Sequence, residues 1–404
     1  MIKIIFLLLT SSIISSLASF LTQMNIASNF NPESFGELNS AISLVVLLSP
    51  LLAMGVDGYL LKYYSDNDGA IRKFNIYSGK YFILSLIPCF VIYALLASDF
   101  GFSFFIIVVS QSIINLAVAH CQARGLYKLV SVLLSIQAIF RLVGVFILII
   151  LNQITPELVY WLYVCIGSFV MILSLFVIVF LNINNRCELT EDCGFSSFLK
   201  KSYPFGLAVF FHLIYFQSDI LILNKLYSSE YAGYYSAAFT VLISAYLIPS
   251  VIYQKYLLPK IHHISLREPT KEKNVFNDGF KLMLIIGVLV TAFFYIFSSD
   301  VINIVFGNKY DKSSEILSLL SICILFRYLS SNAGVFLVTG ELIKIKNKYM
   351  AACALFNVVL NLMFVPYYGA VGAAYTTILT EILLCTLFYL GVNKYKFKVL
   401  NLNR

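Results

Sequence analysis

Five ionisable side chains, Asp57, Arg141, Asp219, Arg327 and Glu381, stand inside stretches that are otherwise apolar. In a bilayer, a charge near a helix centre costs roughly 3 kcal/mol on insertion scales, so each needs a partner, water or a task. With a rise of about 1.5 Å per residue, Arg141, Arg327 and Glu381 come out near mid-membrane. Asp57 falls toward the cytoplasmic end of its stretch and Asp219 toward the outer end. A guanidinium can hold two oxygens of a phosphate or diphosphate at once, because its donors lie in one rigid plane. A carboxyl in a low-dielectric site can bind and release a proton or a sodium ion. Both arginines have small or polar neighbours: Arg141 has Gln137 one turn before it and Gly144 after it, and Arg327 lies between Cys323 and Ser331. Two readings stay open. In one, Arg141 and Arg327 engage an anionic substrate and Asp57, Asp219 or Glu381 couples an ion. In the other, the charges pair internally, Arg327 with Glu381 or Arg141 with Asp57.

Two polar stripes accompany these charges. Ser12, Ser15, Ser16, Ser19, Thr22 and Gln23 recur at helical spacing near the N-terminus, and His212, Tyr215 and Asp219 follow at intervals of three and four. Ser15, Ser19, Gln23, His212 and Tyr215 therefore join Gln137 as candidate substrate contacts lining a wet face. The competing reading is helix packing, since hydroxyls and small residues also join membrane helices.

No catalytic residues are expected. The chain has no phosphate-binding glycine loop, no dinucleotide glycine pattern and no metalloprotease histidine pair. His120, His212, His262 and His263 are scattered, and the eight cysteines show no metal-ligand spacing; Cys187 and Cys193 share a loop. Neither a metal nor a cofactor is expected.

The elements that must position these residues are helices. Hydrophobic residues make up 60% of the chain and charged ones 12%, which excludes an ordinary soluble domain. About twelve apolar runs continue for roughly 20 residues each, the length a transmembrane helix needs; barrel strands would alternate instead. The spacing predicts spans near 4–27, 39–62, 77–98, 101–123, 129–151, 157–181, 203–225, 234–257, 281–305, 313–338, 349–366 and 369–391. Outside the spans, basic residues fall in every second gap, the outer gaps keeping only Lys225, Lys309 and Lys312. That asymmetry predicts cytoplasmic N- and C-termini. The net charge of +8 then reflects loops beside an anionic leaflet, with membrane lipids and not nucleic acid as the partner.

A faint repeat divides the spans. Phe35-Gly36-Glu37-Leu38-Asn39-Ser40-Ala41 enters the second span, and Ala232-Gly233-Tyr234-Tyr235-Ser236-Ala237-Ala238 enters the eighth, with Pro50 and Pro249 in nearly equivalent places. Six spans per half predicts a parallel repeat. The expected fold is all-α: a polytopic membrane protein of two six-helix lobes, 1–185 and 203–393, with a cytoplasmic linker 186–202 and a basic tail 394–404.

Several segments together resemble a family: Phe35-Gly36-Glu37-Leu38-Asn39; Ser218-Asp219-Ile220-Leu221-Ile222-Leu223 with the alanine-rich run just quoted; Val305-Phe306-Gly307-Asn308-Lys309-Tyr310; Asn357-Val358-Val359-Leu360-Asn361; and Pro366-Tyr367-Tyr368-Gly369-Ala370-Val371-Gly372-Ala373-Ala374 followed by Thr376-Thr377. Their order and spacing resemble bacterial polysaccharide-unit flippases, the O-antigen translocase type of the multidrug/oligosaccharidyl-lipid/polysaccharide exporter superfamily. The resemblance implies two lobes around a cleft of alternating access in the bacterial cytoplasmic membrane. It implies a cargo of oligosaccharide on undecaprenyl diphosphate, moved from the cytoplasmic to the periplasmic leaflet. The buried carboxyls add a proton or sodium ion as candidate coupling ion, and other glycan-assembly proteins are candidate partners. The rival readings are a drug/cation antiporter on the same fold, which two central arginines disfavour, and a membrane glycosyltransferase or polymerase, which the short outer gaps disfavour.

Overall fold

The structure, a computed structural model, describes residues 2–66, 72–96, 101–183, 194–250, 253, 269–338 and 342–397. Cys187, Cys193, His262, His263, part of the expected linker and residues 398–404 of the expected tail lie outside these.

Among the described residues the chain is helical throughout: α1 (Ile2–Asn29), α2 (Pro32–Ala53), α3 (Val56–Asp66), α4 (Arg72–Leu96), α5 (Phe105–Ala123), α6 (Tyr127–Ile150), α7 (Pro156–Ile183), α8 (Phe195–Leu226), α9 (Ser229–Pro249), α10 (Pro269–Ile296), α11 (Ser298–Phe306), α12 (Lys312–Phe336) and α13 (Ile343–Val392). Eleven of the described helical stretches are long and apolar enough to cross a membrane. The last is two spans joined at Gly369, whose φ of 55° and ψ of −135° interrupt the helix, so the expected twelve are present.

Local chemistry sets several boundaries. Pro32, Pro156 and Pro269 each open a helix, where a missing N–H costs nothing. Ser228 caps α9 by accepting from the Glu230 amide at 3.1 Å. The stretch 39–62, expected as one span, is instead two helices. Met54 and Gly55 sit at φ 38° and 75°, a left-handed pair that a continuous helix cannot contain, so α2 stops at Ala53 and α3 restarts at Val56. Likewise α10 begins twelve positions before the expected 281, because Pro269-Thr270-Lys271-Glu272 is a good helix start with an acid in its first turn.

By compactness the chain forms two units. One comprises Met1–Asn29 with Leu38–Gln217, the other Phe30–Glu37 with Ser218–Arg404. In the first, α1 packs on α6 and α5 on α7. Its outward faces are lipid-compatible: Ile83, Ile87, Leu95, Ile172 and Phe176 stay exposed. In the second, α12 is the buried centre, packed by α9, α10 and α13.

Three of the quoted motifs meet inside this second unit. Phe35, fully buried, sets its ring against Phe306 at 6.4 Å and edge-on to Tyr310 at 5.7 Å. Gly36 and Gly233 let backbones touch: a Cβ on Gly36 would lie 1.9 Å from the Ser229 carbonyl oxygen, and one on Gly233 would lie 1.8 Å from that of Pro32. Only hydrogen fits there.

Candidate functional site

In the first unit the polar side chains converge where α1 lies along α6. Ser15 donates to the Leu134 carbonyl at 3.1 Å, and Ser135 donates back to the Ser11 carbonyl at 3.2 Å. Thr22 bonds within its own helix, to the Ala18 carbonyl at 2.7 Å. These hydroxyls take part in helix contacts of the kind the packing alternative describes. Ser19 is exposed. Farther along the same helices three buried polar atoms have no hydrogen-bond partner among the described residues: Gln23 Oε1, Gln137 Nε2 and Arg141 Nε. Leaving a buried polar atom unsatisfied costs about 1–3 kcal/mol, so water or another polar group is expected to meet these three. Beside this region a mostly apolar groove of about 390 Å³ is lined by Leu21, Asn25, Leu142, Val143, Phe146 and Ile147.

Arg141 itself stacks on an aromatic ring. Its guanidinium carbon lies 4.4 Å from the centroid of Tyr163, a buried residue of α7. Among the described residues no carboxylate comes within ion-pair distance of it. The pairing of Arg141 with Asp57 does not form there. Asp57 is in the first turn of α3, where the exposed amides of the helix end favour a negative charge. His212 and Tyr215 both lean on Phe216, at ring distances of 4.9 and 5.1 Å; Tyr215 is buried.

In the second unit the charges singled out in the sequence form two centres, apart from the buried Lys396–Glu272 pair. Arg327 on α12 meets Glu381 on α13 at 2.5 Å, with side-chain exposures of 13% and 1%, and its guanidinium lies 5.1 Å from the Tyr246 ring. The internal pair is therefore made, as one of the two sequence readings anticipates.

The other centre is Asp219. One carboxylate oxygen accepts from Tyr235 at 2.8 Å and Thr377 at 2.6 Å; the other accepts from the Asn361 amide at 2.7 Å. Around it Ser218 donates to Asn357 Oδ1 at 2.9 Å, and Thr376 to Asn361 Oδ1 at 2.9 Å. Every one of these side chains is buried. The sequence singled out Asp219 but assigned no role to Asn357, Asn361, Thr376, Thr377 or Tyr235. The signal was present, since two asparagines one helical turn apart in an apolar span are costly unless they share a ligand or a partner. Both carboxylate oxygens of Asp219 are thus met by protein donors, an arrangement that favours the ionised form; rotating the Tyr235 and Thr377 hydroxyls would let the oxygens hold a proton or a hard cation instead.

Known proteins place the chain in context. A family model described as Polysaccharide biosynthesis protein matches residues 1–265. No curated relative matches the sequence. Among solved structures, the fold is similar to that of a protein described as lipid II flippase MurJ in an inward closed conformation. The TM-score is 0.78 at 17% identity, over 97% of this chain and 88% of that one. It is also similar to an inward-facing MATE family multidrug resistance transporter, with a TM-score of 0.71 at 12% identity over 93% of each chain. A third is a MOP superfamily transporter from Pyrococcus furiosus Vc1 (DSM3638), at 0.63 and 14% identity over 97% and 95%. At these identities the likeness shows the fold alone.

Proposed function

Because the chain belongs to the polysaccharide biosynthesis protein family, we propose that it is a flippase for oligosaccharide carried on a polyprenyl diphosphate, undecaprenyl diphosphate being the expected carrier. It works in the bacterial cytoplasmic membrane with both termini in the cytoplasm, and moves O-antigen or capsule repeat units to the periplasmic leaflet by alternating access. The observation that carries this reading is Arg141. A membrane-embedded guanidinium seated on Tyr163 with no carboxylate partner among the described residues is a receptor for an anion. Gln23 and Gln137, each with one buried amide atom lacking a partner among the described residues, supply the neutral hydrogen-bonding groups that sugars or phosphate ester oxygens require. Arg327, committed to Glu381, contributes by exchanging that carboxylate for substrate phosphate. Ser19, His212 and Tyr215 are the further candidates for sugar contact.

Asp219 is the coupling group in this reading. Its carboxylate and the surrounding oxygens bind a sodium ion or a proton, and the bound cation favours one of the two access states. A ligand shifts such an equilibrium only by its differential affinity for the two states, so the cation at Asp219 and the anion at Arg141 are coupled through the state each one favours.

The test is flipping of a fluorescent polyprenyl-diphosphate oligosaccharide by the full chain in proteoliposomes. Arg141→Gln should lower the rate at least about tenfold, the loss of one charge-assisted contact, while the protein folds normally. Asp219→Asn should remove the dependence on an imposed sodium or proton gradient. A full rate in Arg141→Gln would sink the substrate assignment.

A further inference from the structure

Lys344, Lys346 and Lys348 look alike in the sequence, three basic residues flanking a span. The structure separates them. Lys344 and Lys348 are exposed, whereas Lys346 is half-buried and sets its ammonium over the ring of Phe388, 5.8 Å from the centroid. A Cβ built on Gly334 would stand 3.8 Å from the same ammonium nitrogen and 3.1 Å from the Phe388 ring. The glycine thus leaves room for the lysine between α12 and the second half of α13.

The placement of Gly334 and Phe388 is informative. Gly334 follows Arg327 by seven residues on α12, and Phe388 follows Glu381 by seven on α13. Seven residues are two helical turns, so each pair shares a face at a separation of about 10 Å. The Arg327–Glu381 ion pair and the Lys346–Phe388 contact therefore lie about two turns apart along the facing sides of α12 and α13. Arg327 also acts on Lys346 through space as a like charge. Among the described residues no carboxylate comes within ion-pair distance of Lys346. Lys346 also lies in the first turn of α13, where the helix dipole disfavours a cation and favours an anion. A bound anion at this helix start would be favoured by both the ammonium and the helix dipole.

We infer that Lys346 is a phosphate-holding residue: the diphosphate of the substrate is received at Lys346 and passes along the same helices to Arg327, where it competes with Glu381. The inference rests on the flippase reading and adds to Arg141 and Arg327 a further anion contact. It also assigns Phe388 and Gly334 as the groups that hold the lysine in place.

The experiment measures binding of three probes to the purified full chain in nanodiscs at low and high salt: a polyprenyl diphosphate, inorganic pyrophosphate and the neutral polyprenol. Lys346→Gln and Lys346→Met, the second keeping the stem packed on Phe388, should each weaken the diphosphate lipid roughly tenfold at low salt. Both should flatten its salt dependence and leave the polyprenol unchanged. Lys346→Arg should retain most of the affinity, and the exposed Lys344→Gln should bind as wild type. Equal loss for pyrophosphate assigns recognition to the phosphate alone; loss for the lipid only assigns it to the headgroup with its chain. Wild-type diphosphate affinity in both Lys346→Gln and Lys346→Met overturns the inference, and if Arg141→Gln still loses binding the flippase reading survives it. If the diphosphate binds no better than the polyprenol in the wild type, both fall together.

Discussion

At the scale of the residue, the intramembrane charges divide by whether they have a partner within the described protein. Glu381 is almost fully buried and its attraction to Arg327 at 2.5 Å offsets the desolvation of both. Removing one member leaves the other stranded in low dielectric, which costs about 3–5 kcal/mol, whereas replacing both with apolar groups of similar size is far milder. Arg327→Met and Glu381→Leu should therefore each lower the melting temperature of the purified protein markedly, and the double variant should recover much of the loss. Melting curves in which the double variant is as unstable as the sum of the singles would show the two side chains to be uncoupled. Arg141 is the contrasting case: its aromatic seat on Tyr163 supports a cation through the ring's electron-rich face without neutralising it.

Elements are held by how closely backbones can approach. The Gly36 and Gly233 contacts with Ser229 and Pro32 leave no volume for a methyl group, so Gly36→Ala or Gly233→Ala must push α9 away from the 30–37 segment and unseat Phe35 from Phe306 and Tyr310. Loss of that aromatic packing and of the tight approach should destabilise by about 1–3 kcal/mol, read as a lower melting temperature. Gly79, beside which a built Cβ meets nothing within 4 Å, should accept alanine without loss. Equal melting of Gly233→Ala and Gly79→Ala would contradict the close packing. Why Phe35-Gly36, Ala232-Gly233 and Phe306 to Tyr310 stand out in the sequence is explained by this meeting point: each supplies one surface of a single contact.

For the whole molecule, the distribution of basic residues predicts which ends of the helices face the cytoplasm. Single cysteines at Ser228 and at Lys348, placed in a background without the native cysteines, test it in intact cells. Ser228→Cys should react with a membrane-impermeant maleimide added outside, and Lys348→Cys only after the membrane is opened. The reverse pattern would invert the proposed direction of transport.

Membrane class, helical architecture and the approximate number of spans were all legible in the residues alone. Hydropathy is a sum over neighbours in sequence, and a bilayer forces each segment to satisfy its own backbone. The break at Met54-Gly55 was not legible, because left-handed backbone at a methionine has no compositional signature. Nor could the sequence choose between substrate contact and internal pairing for its buried charges. Arg327 finds Glu381 fifty-four positions away, and Asp219 finds Thr377 more than a hundred and fifty positions away, through contacts of about 3 Å that decay within another ångström or two. Periodicity places a side chain on a face; only the packing of distant helices decides what that face meets.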